Sequence, residues 1–200
     1  MGRPPRERRA PYDIEMVTAA AVRVFNRRGY EASSMQDVAR ETGLSKSSLY
    51  YHVSGKEELL ERALERAFSQ LFGVLDEADA KSGGALGRLC YIVRRIVEIT
   101  LEFAPEVELM QRIKGNTPSE IAALERRRDF DRRVSALVAD AAAAGELRGD
   151  IEPGLLTRLV FGMSNSITSW YRPDGPRPAA EIASAVSILI FEGIARGKQK

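Results

Sequence analysis

Eight consecutive residues following Leu44 in the stretch GLSKSSLYYHVSGKEEL hold three serines, a lysine, two tyrosines and the chain's single histidine, His52. Three kinds of chemistry use such groups. Serine and histidine together can make a nucleophile and its base. Serines and lysine at the start of a helix can cradle a phosphate. Short polar side chains with aromatic hydroxyls behind them can read the edges of nucleic-acid bases while holding the backbone.

Nucleophilic catalysis fails on its partners. With one histidine, a Ser-His-acid triad would have to use His52, which stands between a tyrosine and a valine with no glycine-rich elbow nearby. Neither a Walker-type loop nor a dinucleotide fingerprint occurs, and the carboxylates mix with arginines as in ERALER and ERRRDFDRR, the pattern of solvated helix faces. The single cysteine, Cys90, excludes an internal disulfide framework and a cysteine zinc site, so no metal and no cofactor is expected. An enzyme is not expected.

The remaining readings require elements that present the stretch. Ile14, Val17, Ala21, Val24 and Phe25 form a helical stripe, with Asp13 to cap its start and Gly29 to end it. Ser34 and Asp37 open MQDVARETG in the manner of a capping box, and Gly43 closes it. Ser45 caps KSSLYYH, and Ser54 with Glu57 opens the long amphipathic segment KEELLERALERAFSQLFGVLDEADA. Two short helices joined at a glycine make a helix-turn-helix, whose second helix enters the major groove with its N-terminal residues on base edges. Those residues are Ser45, Lys46, Ser47 and Ser48. Lys46 suits guanine O6/N7. Tyr50, Tyr51 and His52 lie at the far end, within reach of phosphates. Lys56 and Ser34, each at a helix start, are expected to anchor phosphates.

Beyond SGG (82–84) the chain continues as apolar and amphipathic helices without alternating strand patterns. Thr117, Pro118 and Glu120 start one of them, Pro153 begins another that reaches Trp170, and the last runs from about Ala179 to Ala195. The expected fold is all-α: a three-helix DNA-binding domain followed by a C-terminal helical bundle. The expected organisation is a flexible basic arm over residues 1–10, a helix-turn-helix domain over 11–55 and a ligand-binding and dimerisation domain over 56–200. The arm carries Arg3, Arg6, Arg8 and Arg9, suited to phosphates or a minor groove. The net charge of +2 is too small to announce a nucleic-acid partner by itself. No apolar run approaches the roughly 18 residues of a membrane span, and no secretory leader is seen, so a cytoplasmic location and no membrane partner are expected.

The run from Ile14 to Leu60, and LYYHVSGKEEL above all, resembles the DNA-binding domain of the TetR family of bacterial transcriptional regulators. By position, Gln36, Lys46, Ser47, Ser48, Tyr50, Tyr51, His52 and Lys56 fall where that family contacts DNA. The resemblance further implies about nine helices, a homodimer built from the last two, double-stranded operator DNA as partner, and a small-molecule effector bound in the bundle. On it rests the expectation that Leu155, Leu159, Gly162 and Ser166, with Ala183, Val186, Ile190 and Ile194, form the dimer surface. Two-fold symmetry then implies a palindromic operator with half-sites about 34–36 Å apart, or a multiple of that.

Phe103, Met110, Phe130, Phe161 and Trp170 are candidate walls of the effector site, since such sites are mostly apolar. Arg126, Arg127, Arg128, Arg132 and Arg133 could hold phosphates or carboxylates if some face a pocket mouth, or could form a solvated helix face. FGMSNSITSWYRPDGP is similar to the C-terminal part of TetR-type regulators of fatty-acid and steroid breakdown, whose implied effector is an acyl-CoA thioester. Two alternatives stay open: an efflux-gene regulator answering an apolar drug, and an architectural DNA-binding protein without a ligand.

Overall fold

A computed structural model describes residues 13–194, with side chains through Gly193. The basic arm and the side chain of Ile194 lie outside the described residues. Ten helices and no strand occur among them: α1 (Ile14–Arg28), α2 (Met35–Thr42), α3 (Lys46–His52), α4 (Lys56–Val74), α5 (Ala78–Lys81), α6 (Ala85–Glu102), α7 (Ala104–Arg112), α8 (Pro118–Ala143), α9 (Pro153–Trp170) and α10 (Ala179–Ile194). The chain divides into two compact units, residues 1–63 and 64–200, so the change of unit falls inside α4.

Local chemistry sets most helix ends. The Asp13 side chain accepts from the Glu15 amide at the start of α1. Ser34 and Asp37 form a complete capping box on α2, and Gly43 ends that helix in the left-handed conformation at φ 70°, which glycine adopts without steric cost. The start of α4 departs from expectation. Glu58, not Glu57, reaches back to Ser54, taking its amide at 2.8 Å and its hydroxyl at 3.0 Å. The long amphipathic segment also stops earlier than its sequence pattern suggests. α4 ends at Val74, and a turn separates it from the short α5, which raises the helix number to ten.

In the first unit α1 packs on α2 and α2 on α3. Val17, Ala21, Phe25, Val38 and Leu49 are buried there, and the Phe25 ring meets Tyr30 edge-on at 5.2 Å. In the second unit α6 is the central helix, touching α5, α7, α8, α9 and α10. Its buried face carries Leu89, Ile92, Val93, Ile96 and Val97, each contributing about 1.5–3 kcal/mol on burial. Cys90 lies half-buried on the same helix, and burial pushes its thiol up to about 11, which suits an inert packing residue.

Glu120 is a polar keystone of this unit at 2 % exposure. Its carboxylate accepts from the amides of Lys114 (3.2 Å), Asn116 (2.9 Å) and Thr117 (3.1 Å). It thereby fixes the turn before α8. Glu120→Gln replaces one acceptor by a donor facing an amide, and is expected to lower stability by about 1–2 kcal/mol, read as a shifted urea midpoint with an unchanged slope.

Candidate nucleic-acid interface and effector cavity

α3 is anchored by one side chain. Leu49 is fully buried, whereas Ser45, Lys46, Ser47, Ser48, Tyr50 and Tyr51 are all exposed and His52 is half-buried. The serines form a hydroxyl cluster: Ser45 Oγ accepts from the Ser48 amide at 3.1 Å and lies 2.9 and 2.8 Å from the hydroxyls of Ser47 and Ser48. Ser45 is thus both cap and surface group. The Lys46 ammonium stands 5.8 Å from the Tyr50 ring centre, one turn away. Tyr51 is 88 % exposed, a large amphipathic ring left in solvent with His52 edge-on at 5.5 Å. Gln36 on α2 is exposed as well. The arrangement offers short donors and acceptors, one cation and two phenols on one continuous surface.

Two expected phosphate anchors hold different partners. The Lys56 ammonium donates to the carbonyl oxygens of Tyr30, Glu31 and Ser33, each at 3.2 Å, and lies 4.6 Å from the Tyr30 ring centre. An ammonium has three donors, and all three are used inside the protein. Lys56 therefore ties the start of α4 to the turn between α1 and α2. Ser34 is likewise committed, its hydroxyl donating to Asp37 at 2.6 Å within the capping box. The hydrogen bonds from Ser34 hold the Asp37 carboxyl below its ordinary range, helped by Arg28 and Arg40.

The second unit contains a cavity of about 330 Å³. Met110, Phe130 and Phe161 line it, joined by Phe68, Leu71, Ile96 and Val107. Phe103 and Trp170 do not line it. Phe103 sits at the α6–α7 junction with the Arg66 guanidinium 5.9 Å from its ring centre. Trp170, 51 % exposed, belongs to a separate groove described below. The cavity's polar groups are Thr100, Gln111, Arg127, Asp131 and Asn165. The arginine-rich run on α8 splits by direction. Arg127 faces the cavity and donates to the Met110 carbonyl at 3.4 Å. Arg126 pairs with Glu65 and lies 4.5 Å from the Phe68 ring centre, while Arg132 and Arg133 pair with Asp129; Arg128 is exposed. Asp131 and Asn165 carried no distinguishing signal in the sequence. The i, i+4 spacing of Arg127 and Asp131 on one helix face was legible, but not the direction of that face.

A second groove, about 440 Å³, runs along α9 and α10 and is lined by Met163, Ser166, Trp170, Val186 and Leu189 among others. Leu155, Leu159, Gly162 and Ser166 on α9 are exposed. On α10 the structure turns a different face outward from the one the spacing suggested. Ala183, Val186 and Ile190 are buried within the protomer, with Val186 at the groove floor, while Ile188 and Leu189 are 50 % and 66 % exposed.

Residues 17–63 match the family model for bacterial regulatory proteins of the tetR family, and residues 82–194 match that for the tetracyclin repressor-like C-terminal domain. The chain belongs to the TetR family. A solved structure of SCO3833, a TetR-family member from Streptomyces coelicolor A3, is 51% identical with a TM-score of 0.85, covering 90% of this chain and 91% of that one. The HTH-type transcriptional repressor KstR2 of Mycolicibacterium smegmatis is 22% identical over 187 residues, 92% of this chain and 91% of that protein. AibR, solved in complex with isovaleryl coenzyme A and operator DNA, shares the fold at 23% identity and a TM-score of 0.71, covering 88% of this chain and 97% of that one.

TetR-family regulators bind operator DNA and small-molecule effectors and are typically dimers; this chain is a bacterial regulatory protein of that family. The relatives are transcriptional regulators, which are not enzymes. Among the described residues no helix is long and apolar enough to cross a membrane.

Proposed function

We propose that this protein sits on a palindromic operator through α3 and leaves it when an acyl-CoA thioester enters the cavity of the second unit. It acts as a binding protein rather than a catalyst, in the cytoplasm, where its operator would be. The observation carrying the DNA reading is the bareness of α3, which keeps Leu49 inside and turns Ser45 to Ser48, Tyr50 and Tyr51 to solvent. Lys46 and the serines meet base edges; Tyr50, Tyr51, His52 and Gln36 hold the backbone. In this reading residues 1–10 form a basic arm, 11–55 the reading head and 56–200 the effector and dimerisation domain. The dimer forms through α9 and α10, with Leu155, Leu159, Gly162, Ser166, Ile188 and Leu189 facing the partner.

For the effector, a cavity of about 330 Å³ has room for on the order of ten heavy atoms at roughly 30 Å³ each. That suits an acyl chain and its thioester, with the nucleotide end of coenzyme A outside. The names of two relatives, a repressor of the KstR2 type and a neighbour holding isovaleryl coenzyme A, support the same class. The Arg127 guanidinium, the Asp131 carboxylate and the Asn165 amide in the lining speak against a purely apolar drug, because such a ligand would desolvate them without offering a partner. The cavity itself speaks against an architectural protein without a ligand.

Lys46→Ala is expected to cost about 1–3 kcal/mol of operator affinity and to relax preference at one base pair. Selection from a randomised site followed by titration reads both. Unchanged affinity and unchanged preference would remove α3 from the base-reading role. Operator release by acyl-CoA thioesters of graded length, followed by mobility shift, tests the effector.

A further inference from the structure

Arg127 and Asp131 are successive-turn neighbours on α8, and both line the cavity. Their surroundings differ. Arg127 makes one long bond, to the Met110 carbonyl at 3.4 Å, which leaves most of its five donors available. Among the described residues no side chain donates to the Asp131 carboxylate. Burial pushes that carboxyl above its ordinary range, and the Arg127 charge opposes the rise. Gln111 also lines the cavity, but its amide is already spent on α9: it donates to the Asn165 carbonyl at 3.4 Å and accepts from the Thr168 hydroxyl at 3.0 Å. The cavity therefore presents the Arg127 donors and the Asp131 carboxylate on successive turns of one helix, with the Asn165 amide on α9 as a further polar group of the lining.

Resting on the effector reading above, we propose that Arg127 and Asp131 act as a two-point selector that admits a neutral amide-bearing acyl thioester and rejects the free carboxylic acid of the same chain. A thioester or amide carbonyl accepts from Arg127, and the adjacent amide N–H, of the kind the pantetheine arm carries, donates to Asp131. A free carboxylate satisfies Arg127 equally well but has no proton for Asp131 and brings a second negative charge beside it, in a site where charges are poorly screened. An alcohol or hydrocarbon of equal length fills the apolar part and leaves the selector unpaired. A site with hydrogen-bonding groups left open discriminates more strongly than one that only measures chain length. Asp131 is thus a specificity residue: without it, the Arg127 guanidinium would favour fatty acids.

The test uses the full-length protein and three chain-matched probes: octanoyl-pantetheine, octanoate and octanol. Binding is followed by calorimetry and by the rise in melting temperature, since a ligand bound only to the folded state stabilises it. The wild type is expected to bind octanoyl-pantetheine at least about tenfold more tightly than octanoate. In Asp131→Asn, octanoate is expected to gain at least about fivefold and the preference to shrink accordingly. Asp131→Ser, smaller and equally uncharged, should behave alike, which guards against one variant folding poorly. Equal binding of thioester and carboxylate by the wild type, or an unchanged preference in both variants, overturns the selector. If octanol binds and octanoyl-pantetheine does not, the cavity is an effector site of another class and the selector is wrong. If none of the three binds, the effector reading itself falls, and the selector with it.

Discussion

Lys56→Met is expected to destabilise the protein by about 3 kcal/mol, through loss of three charge-assisted bonds to carbonyl oxygens and a contact over the Tyr30 ring. Methionine keeps the unbranched stem, so the loss isolates the ammonium. The freed carbonyls of Tyr30, Glu31 and Ser33 lie in the turn that sets α2 against α1, and operator affinity should fall because the reading head is less well held. The salt dependence separates this from a phosphate contact. Each neutralised phosphate contributes about 0.9 to the slope of log affinity against log salt. With the ammonium turned inward, the slope is expected to stay unchanged in the variant while the urea midpoint drops. A slope smaller by about one, with stability intact, would return Lys56 to the DNA backbone. The sequence alone supported that second outcome, since a lysine opening a helix beside a reading helix is well placed for an anion.

Leu189→Asp is expected to weaken self-association at least about a hundredfold, near 3 kcal/mol, because two-fold symmetry buries two copies of the charge in an apolar contact. Leu189 is 66 % exposed in the protomer, so the change should leave the protomer's own core alone. Sedimentation at graded concentration reads the association, and titration of a palindromic site against a single half-site reads the consequence. The variant should bind the two alike, whereas the wild type should prefer the palindrome strongly. Ala183→Asp makes the informative contrast. Ala183 is only 4 % exposed and packs inward, so an acid there should unfold the protomer rather than separate the dimer. A dimer unaffected by Leu189→Asp, with Leu159→Asp equally silent, would move the interface elsewhere.

Much of this molecule was written in short-range chemistry. Asp13, Ser34 with Asp37, Gly43, Ser45, and Thr117 with Glu120 are found at the helix ends where their side chains predicted them, because a cap depends on residues within about one turn. The helical period likewise placed Val17, Ala21, Phe25, Val38 and Leu49 inside the first unit. The exposed face of α3 followed from the same logic, since a helix with one large apolar residue among serines and tyrosines has little else to bury.

What the sequence could not determine was direction wherever a helix offered more than one apolar or charged face. α10 is apolar nearly all round, with Ile182, Ala183, Val186, Ile188, Leu189 and Ile190 in one run. Periodicity cannot say which side meets α6 and which meets solvent. The packing put Ala183, Val186 and Ile190 inside and left Ile188 and Leu189 outside. On α8 five arginines share two turns, and only the neighbouring helices decided that Arg127 turns to the cavity while Arg126 covers Phe68. The same holds for Lys56, whose partners lie more than twenty residues away in the chain. By itself the sequence determined most of the helices, most of their caps and the exposed face of α3, because these depend on neighbours in the chain. The tertiary structure alone decided which long side chains face a ligand, a second copy or the protein's own backbone, because those partners are brought close only by folding.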